Sequence, residues 1–142
     1  PDEAELAAAI VALVRAGVPF KATAGLHHAV RNTDADTGFE QHGFVNVLVA
    51  TDAALSGADE AQVRGWLAER DGALLAARIA DLTPADAARL RNAFRSFGTC
   101  SITDPVAELS TLAEGAVPKG QESPPKGHES PPKGQEMAGE RA

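Results

Sequence analysis

The chain has 142 residues with an apolar fraction of 44%, which suits one globular domain, and a formal net charge of -7. An acidic chain without a lysine- and arginine-rich cluster repels a phosphate backbone, so nucleic-acid binding is not expected. A single cysteine excludes an internal disulfide framework and a zinc site built from several cysteines. Since no apolar run is long enough to cross a bilayer, we expect no membrane association and a cytoplasmic protein.

The first predicted elements are a helix over residues 2–16 and a strand over the run VPFKATA, residues 18–24. Gly17 separates them, and one glycine between a helix and a short apolar run is typical of βα-repeat proteins. The sequence begins at Pro1, in what reads as the first turn of a helix. We therefore expect that an upstream part of the domain is missing.

A long loop is predicted next, over residues 27–43, followed by helices over 44–55 and 56–69. Residues 72–80 are compatible with either a strand or a helix. A helix over 84–95 is indicated by Thr83 as N-cap, Pro84 at the first position and Asp86 as the acid of a capping box.

The domain is predicted to end with a strand over residues 96–102 and a helix capped by Asp104. This order of elements indicates an α/β fold with parallel strands over residues 1–114. Residues 115–142 form a separate tail. From Val117 the tail repeats a seven-residue unit with proline and glycine in every copy, and we expect it to be disordered and partly polyproline II.

Three blocks of the chain, FKATAGLHH, HGFVN and SFGTCSITDPV, resemble the C-terminal part of a family of uncharacterised bacterial proteins. The resemblance covers roughly residues 1–112. It implies a (β/α)-barrel-like fold, of which this chain would be a C-terminal portion.

Lys21 is the first candidate for chemistry. Side chains alternate along a strand, so Lys21 and Thr23 point away from Phe20 and, in a barrel, towards the interior near the catalytic mouth. A lysine that is partly desolvated there offers a neutral amine as a Schiff-base nucleophile or general base. In the alternative interpretation, Lys21 pairs with a buried carboxylate or extends from an edge strand into water.

His27 and His28 follow the strand, where the loops of such a fold carry function. Adjacent histidines on extended backbone point in opposite directions, so one at most reaches a site. That histidine would shuttle a proton or bind an anionic group together with Arg31. The alternatives are a loop histidine bonded to backbone carbonyls, or a metal site completed by His42 and an acid of the loop, although no tight metal spacing is present.

The remaining candidates are polar residues that we expect near the mouth of the same predicted barrel. Asn46 either reaches the mouth or is an exposed helix residue. Ser101 belongs to a group of small polar residues before a helix, which can bind phosphate through backbone amides, although Asp104 would repel an anion. Cys100 is expected to be a buried structural thiol.

These residues together predict a lyase or isomerase that acts on a small carbonyl or anionic metabolite. Lys21 would be the nucleophile or base, and His27 or His28 the acid/base; Thr23, Arg31, Asn46 and Ser101 would bind the substrate. No metal or cofactor is assigned. The alternatives are a non-catalytic ligand-binding or scaffold domain and a metal-dependent enzyme that uses the loop histidines. A partial barrel has an open sheet edge, which favours a homo-oligomer.

Overall fold

The structure of the protein is a computed structural model, and it describes residues 1–23 and 25–116. The predicted repeat tail from Val117 lies outside these residues. In chain order the elements are α1 (Glu3–Arg15), β1 (Phe20–Ala22), β2 (Asn32–Thr33), β3 (Glu40–Gln41), α2 (Phe44–Leu55), α3 (Glu60–Ala68), α4 (Gly72–Ala80), α5 (Pro84–Ala93), β4 (Phe94–Phe97) and α6 (Thr103–Ala116). Within the described part, no helix is long and apolar enough to cross a membrane.

Helix α2 forms the centre of the fold. Its sequence, FVNVLVATDAAL, has apolar residues all around the helix, and its residues from Phe44 to Ala54 are buried except Leu48, among them the polar Asn46, Thr51 and Asp52. A helix that is apolar all round must be covered on all sides. Helices α1, α3, α4 and α5 supply that cover by packing against α2.

The surrounding helices begin at side chains that satisfy their free N–H groups. Asp2 and Glu5 form a capping box at the start of α1, and Asp59 and Gln62 form another at α3. The predicted box of Thr83 and Asp86, with Pro84 in the first turn, is present at α5. The start of α5 was predicted from such a pattern, whereas α3, predicted from residue 56, begins only at Glu60 after its cap at Asp59.

Two small sheets complete the fold. β1 pairs with β4 in parallel, with Phe20 opposite Phe94, and β2 pairs with β3 as an antiparallel hairpin. The Phe20 and Phe94 rings stack with centroids 5.3 Å apart, which packs the parallel pair against the core. The mixed helix and strand content confirms the predicted α/β character. Among the described residues, neither sheet closes into a barrel.

Several local predictions are corrected by the structure. Residues 72–80 are the helix α4, and the predicted loop contains the β2–β3 hairpin. The second parallel strand is Phe94–Phe97 and not residues 96–102, because Phe94 leaves α5 directly into the core beside Phe20. Helix α6 begins at Thr103, so Asp104 lies inside its first turn and is not its cap.

Candidate functional site

A groove of about 800 Å³ lies between α6 and the chain that follows β1. Apolar side chains, among them Val30 and Leu112, line part of it. Ionisable side chains from three parts of the fold also line it: His28, Arg31, Asp34, Asp36, Arg70 and Glu108. The groove therefore combines an apolar surface with one histidine, three carboxylates and two arginines.

The backbone at His28 is fixed by the start of α2. The His28 carbonyl accepts a hydrogen bond from Phe44 N at 3.0 Å, and the Ala29 carbonyl accepts one from Val45 N at 2.9 Å. Gly43, the N-cap of α2, makes no side-chain cap bond. The carbonyls of the 28–29 segment thus satisfy helix N–H groups that otherwise lack partners.

The His28 ring meets a carboxylate from the far end of the domain. His28 Nδ1 lies 2.8 Å from Glu108 Oε1, and Glu108 Oε2 accepts a hydrogen bond from Ala29 N. Helix α6 presents Glu108 inwards because Leu112, four positions later and on the same face, packs against the core. One carboxylate therefore holds both the ring and the adjacent peptide.

The pair remains accessible to a solute. The His28 side chain is 44% exposed and that of Glu108 is 35% exposed. Within the described residues, His28 Nε2 has no hydrogen-bond partner. A carboxylate at Nδ1 favours the tautomer with the proton on Nδ1, which leaves the lone pair on Nε2.

Beyond this pair the groove is lined by two acids and two arginines, and both arginines are paired with acids that do not line it. Asp34 Oδ1 accepts hydrogen bonds from the Thr37 hydroxyl, Thr37 N and Asp36 N. These bonds, the Thr37 hydroxyl foremost, hold the pKa of Asp34 below its ordinary value. Arg70 contributes a positive charge, but its guanidinium is paired with Glu40. The groove therefore presents more negative than positive charge to a ligand.

Arg31, a predicted substrate-binding residue, is occupied by ion pairs. Its side chain is only 8% exposed and pairs with Glu3 and with Glu40, the latter at 2.9 Å. His42 Nδ1 lies 3.3 Å from Arg31 Nη1, and His42 Nε2 lies 3.0 Å from the Pro1 carbonyl oxygen. These contacts join α1 to the hairpin, and they engage both ring nitrogens of His42.

Asn46 lies neither at the mouth of a barrel nor on the exposed surface of a helix, so both predictions made for it are wrong. Its side chain is 0% exposed, accepts a hydrogen bond from Arg31 N at 2.8 Å and donates to the carbonyls of Trp66 and Glu69 at 2.9 and 2.7 Å. The amide therefore ties α2 to the hairpin and to the end of α3.

Lys21 and Thr23 line a separate, largely apolar cavity of about 250 Å³ that also contacts His42. The strand alternation is as predicted, with Phe20 and Ala22 partly covered and Lys21 exposed. The expected desolvation of Lys21 is wrong, because the two-stranded sheet offers no interior for that face to enter. Lys21 does not line the groove that holds His28.

The two adjacent histidines lie on different cavities, as the alternation along extended backbone predicts. His27 lines a cavity of about 310 Å³ beside Gln41 and His42, whereas His28 lines the groove. The structure thus distributes Lys21, His27 and His28 over three cavities instead of bringing them together.

The last block of candidates sits at the start of α6. The Ser101 hydroxyl accepts a hydrogen bond from Asp104 N at 3.3 Å, which satisfies an N–H group in the first turn of α6. Cys100 is exposed, so its predicted role as a buried thiol is wrong. No group of three potential metal ligands occurs in the part of the chain that the structure describes.

Comparison with known protein families, with curated proteins and with solved structures finds no match. The resemblance based on the three sequence blocks therefore stays a prediction.

Glu108 is the residue that sequence reasoning missed. Its position gave one usable signal, since it shares a helix face with Leu112, and an acid on the buried face of a helix needs a partner. The sequence did not indicate that the partner would be His28, 80 positions earlier.

Proposed function

We propose that His28 acts as a general acid/base in the groove, with Glu108 as the group that orients it. The observation that carries the proposal is the 2.8 Å contact between His28 Nδ1 and Glu108 Oε1 in a ring that still lines an open groove. A carboxylate behind an imidazole fixes the tautomer and stabilises the protonated ring. An imidazole is the side chain best suited to accept and return protons near neutral pH.

The proposed reaction is proton transfer at a carbon next to a carbonyl, as lyases and isomerases carry out. His28 Nε2 would take the proton, and the electron pair would move to the carbonyl oxygen as an enolate. Asp34, Asp36 and Glu108 oppose a highly anionic substrate, so an uncharged carbonyl compound fits this groove better than a phosphate ester. Arg31 and Arg70 are the positive groups on the groove wall; both pair with Glu40, so they offer a developing enolate only a partly neutralised charge.

Lys21 has no part in this proposal, because it lines another cavity. A Schiff-base reaction at Lys21 stays a separate prediction that borohydride trapping with carbonyl compounds would test. The (β/α)-barrel expectation also stays a prediction, since it requires further parallel strands beside β1 or β4.

The test is deuterium exchange at carbon, followed by proton NMR in D₂O with a panel of small ketones and aldehydes. We expect the protein to accelerate loss of the α-proton signal for at least one compound, and His28→Gln to abolish that acceleration. His27→Gln is the matched control because His27 is adjacent but lines another cavity. Equal exchange by the wild type and His28→Gln across the panel would contradict the proposal.

A second candidate function, a non-catalytic ligand-binding domain, is favoured by one contact. Glu108 Oε2 accepts a hydrogen bond from Ala29 N, so the same carboxylate also fastens α6 to the chain after β1. Saturable binding of a carbonyl compound without any catalysed exchange, unaffected by His28→Gln, would favour this candidate over the enzyme.

A further inference from the structure

A cleft of about 290 Å³ lies where the end of α1 approaches the junction of α5 and β4. One side is apolar and is formed by residues of α1, of the turn after it and of the end of α2: Leu13, Val14, Val18, Pro19 and Leu55. Val18 is 47% exposed. An exposed apolar side chain within an apolar cleft leaves surface that a ligand can cover.

The other side of the cleft carries two guanidinium groups and one amide. Arg89 and Asn92 lie three positions apart on α5 and so share a helix face, and Arg95 follows on β4. Arg89 Nη2 lies 3.0 Å from Asp86 Oδ1. Arg95 has no ion-pair partner among residues 1–23 and 25–116.

The charge of this cleft is opposite to that of the protein. The chain carries a net charge of -7, and the groove at His28 contains three acids. By contrast, the described residues that line this cleft include two arginines and no acid. A guanidinium binds a carboxylate with two parallel hydrogen bonds, and a singly charged carboxylate can carry a hydrocarbon group that covers the apolar side of the cleft.

We propose that this cleft binds a small monocarboxylate that carries a hydrocarbon or aryl group. The carboxylate would meet Arg95, with Arg89 and Asn92 beside it, and the apolar group would cover Val18 and the adjacent α1 surface. A volume of about 290 Å³ has room for roughly ten groups of the size of a water molecule, at about 30 Å³ each. The site shares no lining residue with the His28 groove, so the proposal does not depend on the proposed function.

The experiment is titration of the full chain with octanoate, followed by calorimetry and by amide chemical shifts, with octanol as the uncharged probe of the same chain length. We expect saturable octanoate binding with shifts at Val18, Asn92 and Arg95, and binding of octanol that is roughly tenfold weaker or more. Arg95→Gln should weaken octanoate binding by about tenfold. Val18→Ser should also weaken it, because the apolar contact is reduced.

Arg91→Gln is the matched control. Arg91 is an exposed arginine of α5, the helix that carries Arg89, and it does not line the cleft. The variant should bind octanoate as the wild type does, and so should His28→Gln. Thermal melts of each variant confirm that folding is retained. The proposal is overturned if octanoate fails to saturate, if octanol binds equally well, or if Arg91→Gln weakens binding as much as Arg95→Gln.

Discussion

Glu108 and His28 are 80 positions apart in the sequence, and their side chains meet at 2.8 Å. The contact joins the last described helix to the segment that caps α2, and it leaves the other ring nitrogen available. The proposed acid/base role and the docking of α6 therefore depend on the same carboxylate.

Glu108→Gln should separate these two roles. The amide keeps the size of the side chain but removes the charge that fixes the His28 tautomer, so we expect the Nε2-protonated form to increase in nitrogen NMR spectra. Any exchange activity at His28 should fall by at least about tenfold. The free energy of unfolding should fall by about 1 kcal/mol or less, because the pair is partly exposed. Glu114→Gln, at an exposed position of α6, is the control, and equal effects of both variants would contradict this account.

Gly43→Ala should destabilise the protein by at least about 2 kcal/mol in urea unfolding. A Cβ atom there would lie within 3.0 Å of the Ala29 carbonyl oxygen, the Asn46 amide oxygen and Arg31 N. Gly65→Ala is the contrasting variant: its added methyl meets nothing within 4 Å in the middle of α3, so it should stabilise by about 0.5–1 kcal/mol. An unchanged free energy of unfolding in Gly43→Ala would contradict this prediction, because it would show that the backbone of residues 28–31 moves aside without loss of stability.

Asn46→Ala should lower the free energy of unfolding by about 3 kcal/mol or more. The substitution leaves Arg31 N and the carbonyls of Trp66 and Glu69 without the amide that they contact, in a place that is 0% exposed. Asn92→Ala, on the exposed surface of α5, should change stability by less than about 0.5 kcal/mol. Similar losses for both variants in urea unfolding would refute the role assigned to Asn46.

Acid should destabilise the fold through carboxylates that accept hydrogen bonds from threonine. The hydroxyl of Thr83 holds the pKa of Asp86 below its ordinary value of 3.8, and the hydroxyl of Thr37 does the same for Asp34. Since each pKa is lower in the folded state, the stabilisation is complete above pH 3.8 and is lost as the pH falls through the lowered pKa.

Urea unfolding from about pH 6 down to about pH 2.5 measures this loss. Asp86→Asn should reduce the dependence of stability on pH in the acid range, and Thr83→Val should reduce it for the same reason, because it removes the donor. A pH profile of Asp86→Asn that parallels the wild type would show that Asp86 makes no such contribution.

The sequence predicted the elements whose signals are local. The box of Thr83 and Asp86 fixes the start of α5, and the helical spacing of Phe44, Leu48, Thr51 and Leu55 predicts α2. Residues 72–80 were ambiguous because a short apolar run suits a strand or a helix equally. In the structure Asp71 Oδ1 accepts hydrogen bonds from Ala73 N and Leu74 N and so caps the helix.

The candidate site was harder to predict because it is made by distant contacts. His28 could be proposed from its place after β1, but its carboxylate partner comes from α6. Asn46 was predicted to bind a ligand because a local pattern does not reveal its three hydrogen-bond partners, which lie 15 to 23 positions away in the sequence. Lys21 was expected in a barrel interior, which needs neighbouring strands that a local pattern does not reveal.

The parallel pairing of β1 with β4 has a consequence for how the chain folds. The two strands flank the whole run from the hairpin to α5, so their pairing closes a loop of about 70 residues, at a cost of roughly 4 kcal/mol in chain entropy. Contacts between α2 and α3 join neighbouring elements, whereas those between α1 and α3 span 45 to 65 positions and close a loop almost as long. We therefore expect α2 and α3 to pair before the sheet forms, and hydrogen exchange at the β1–β4 amides to report openings that leave the α2–α3 pair intact.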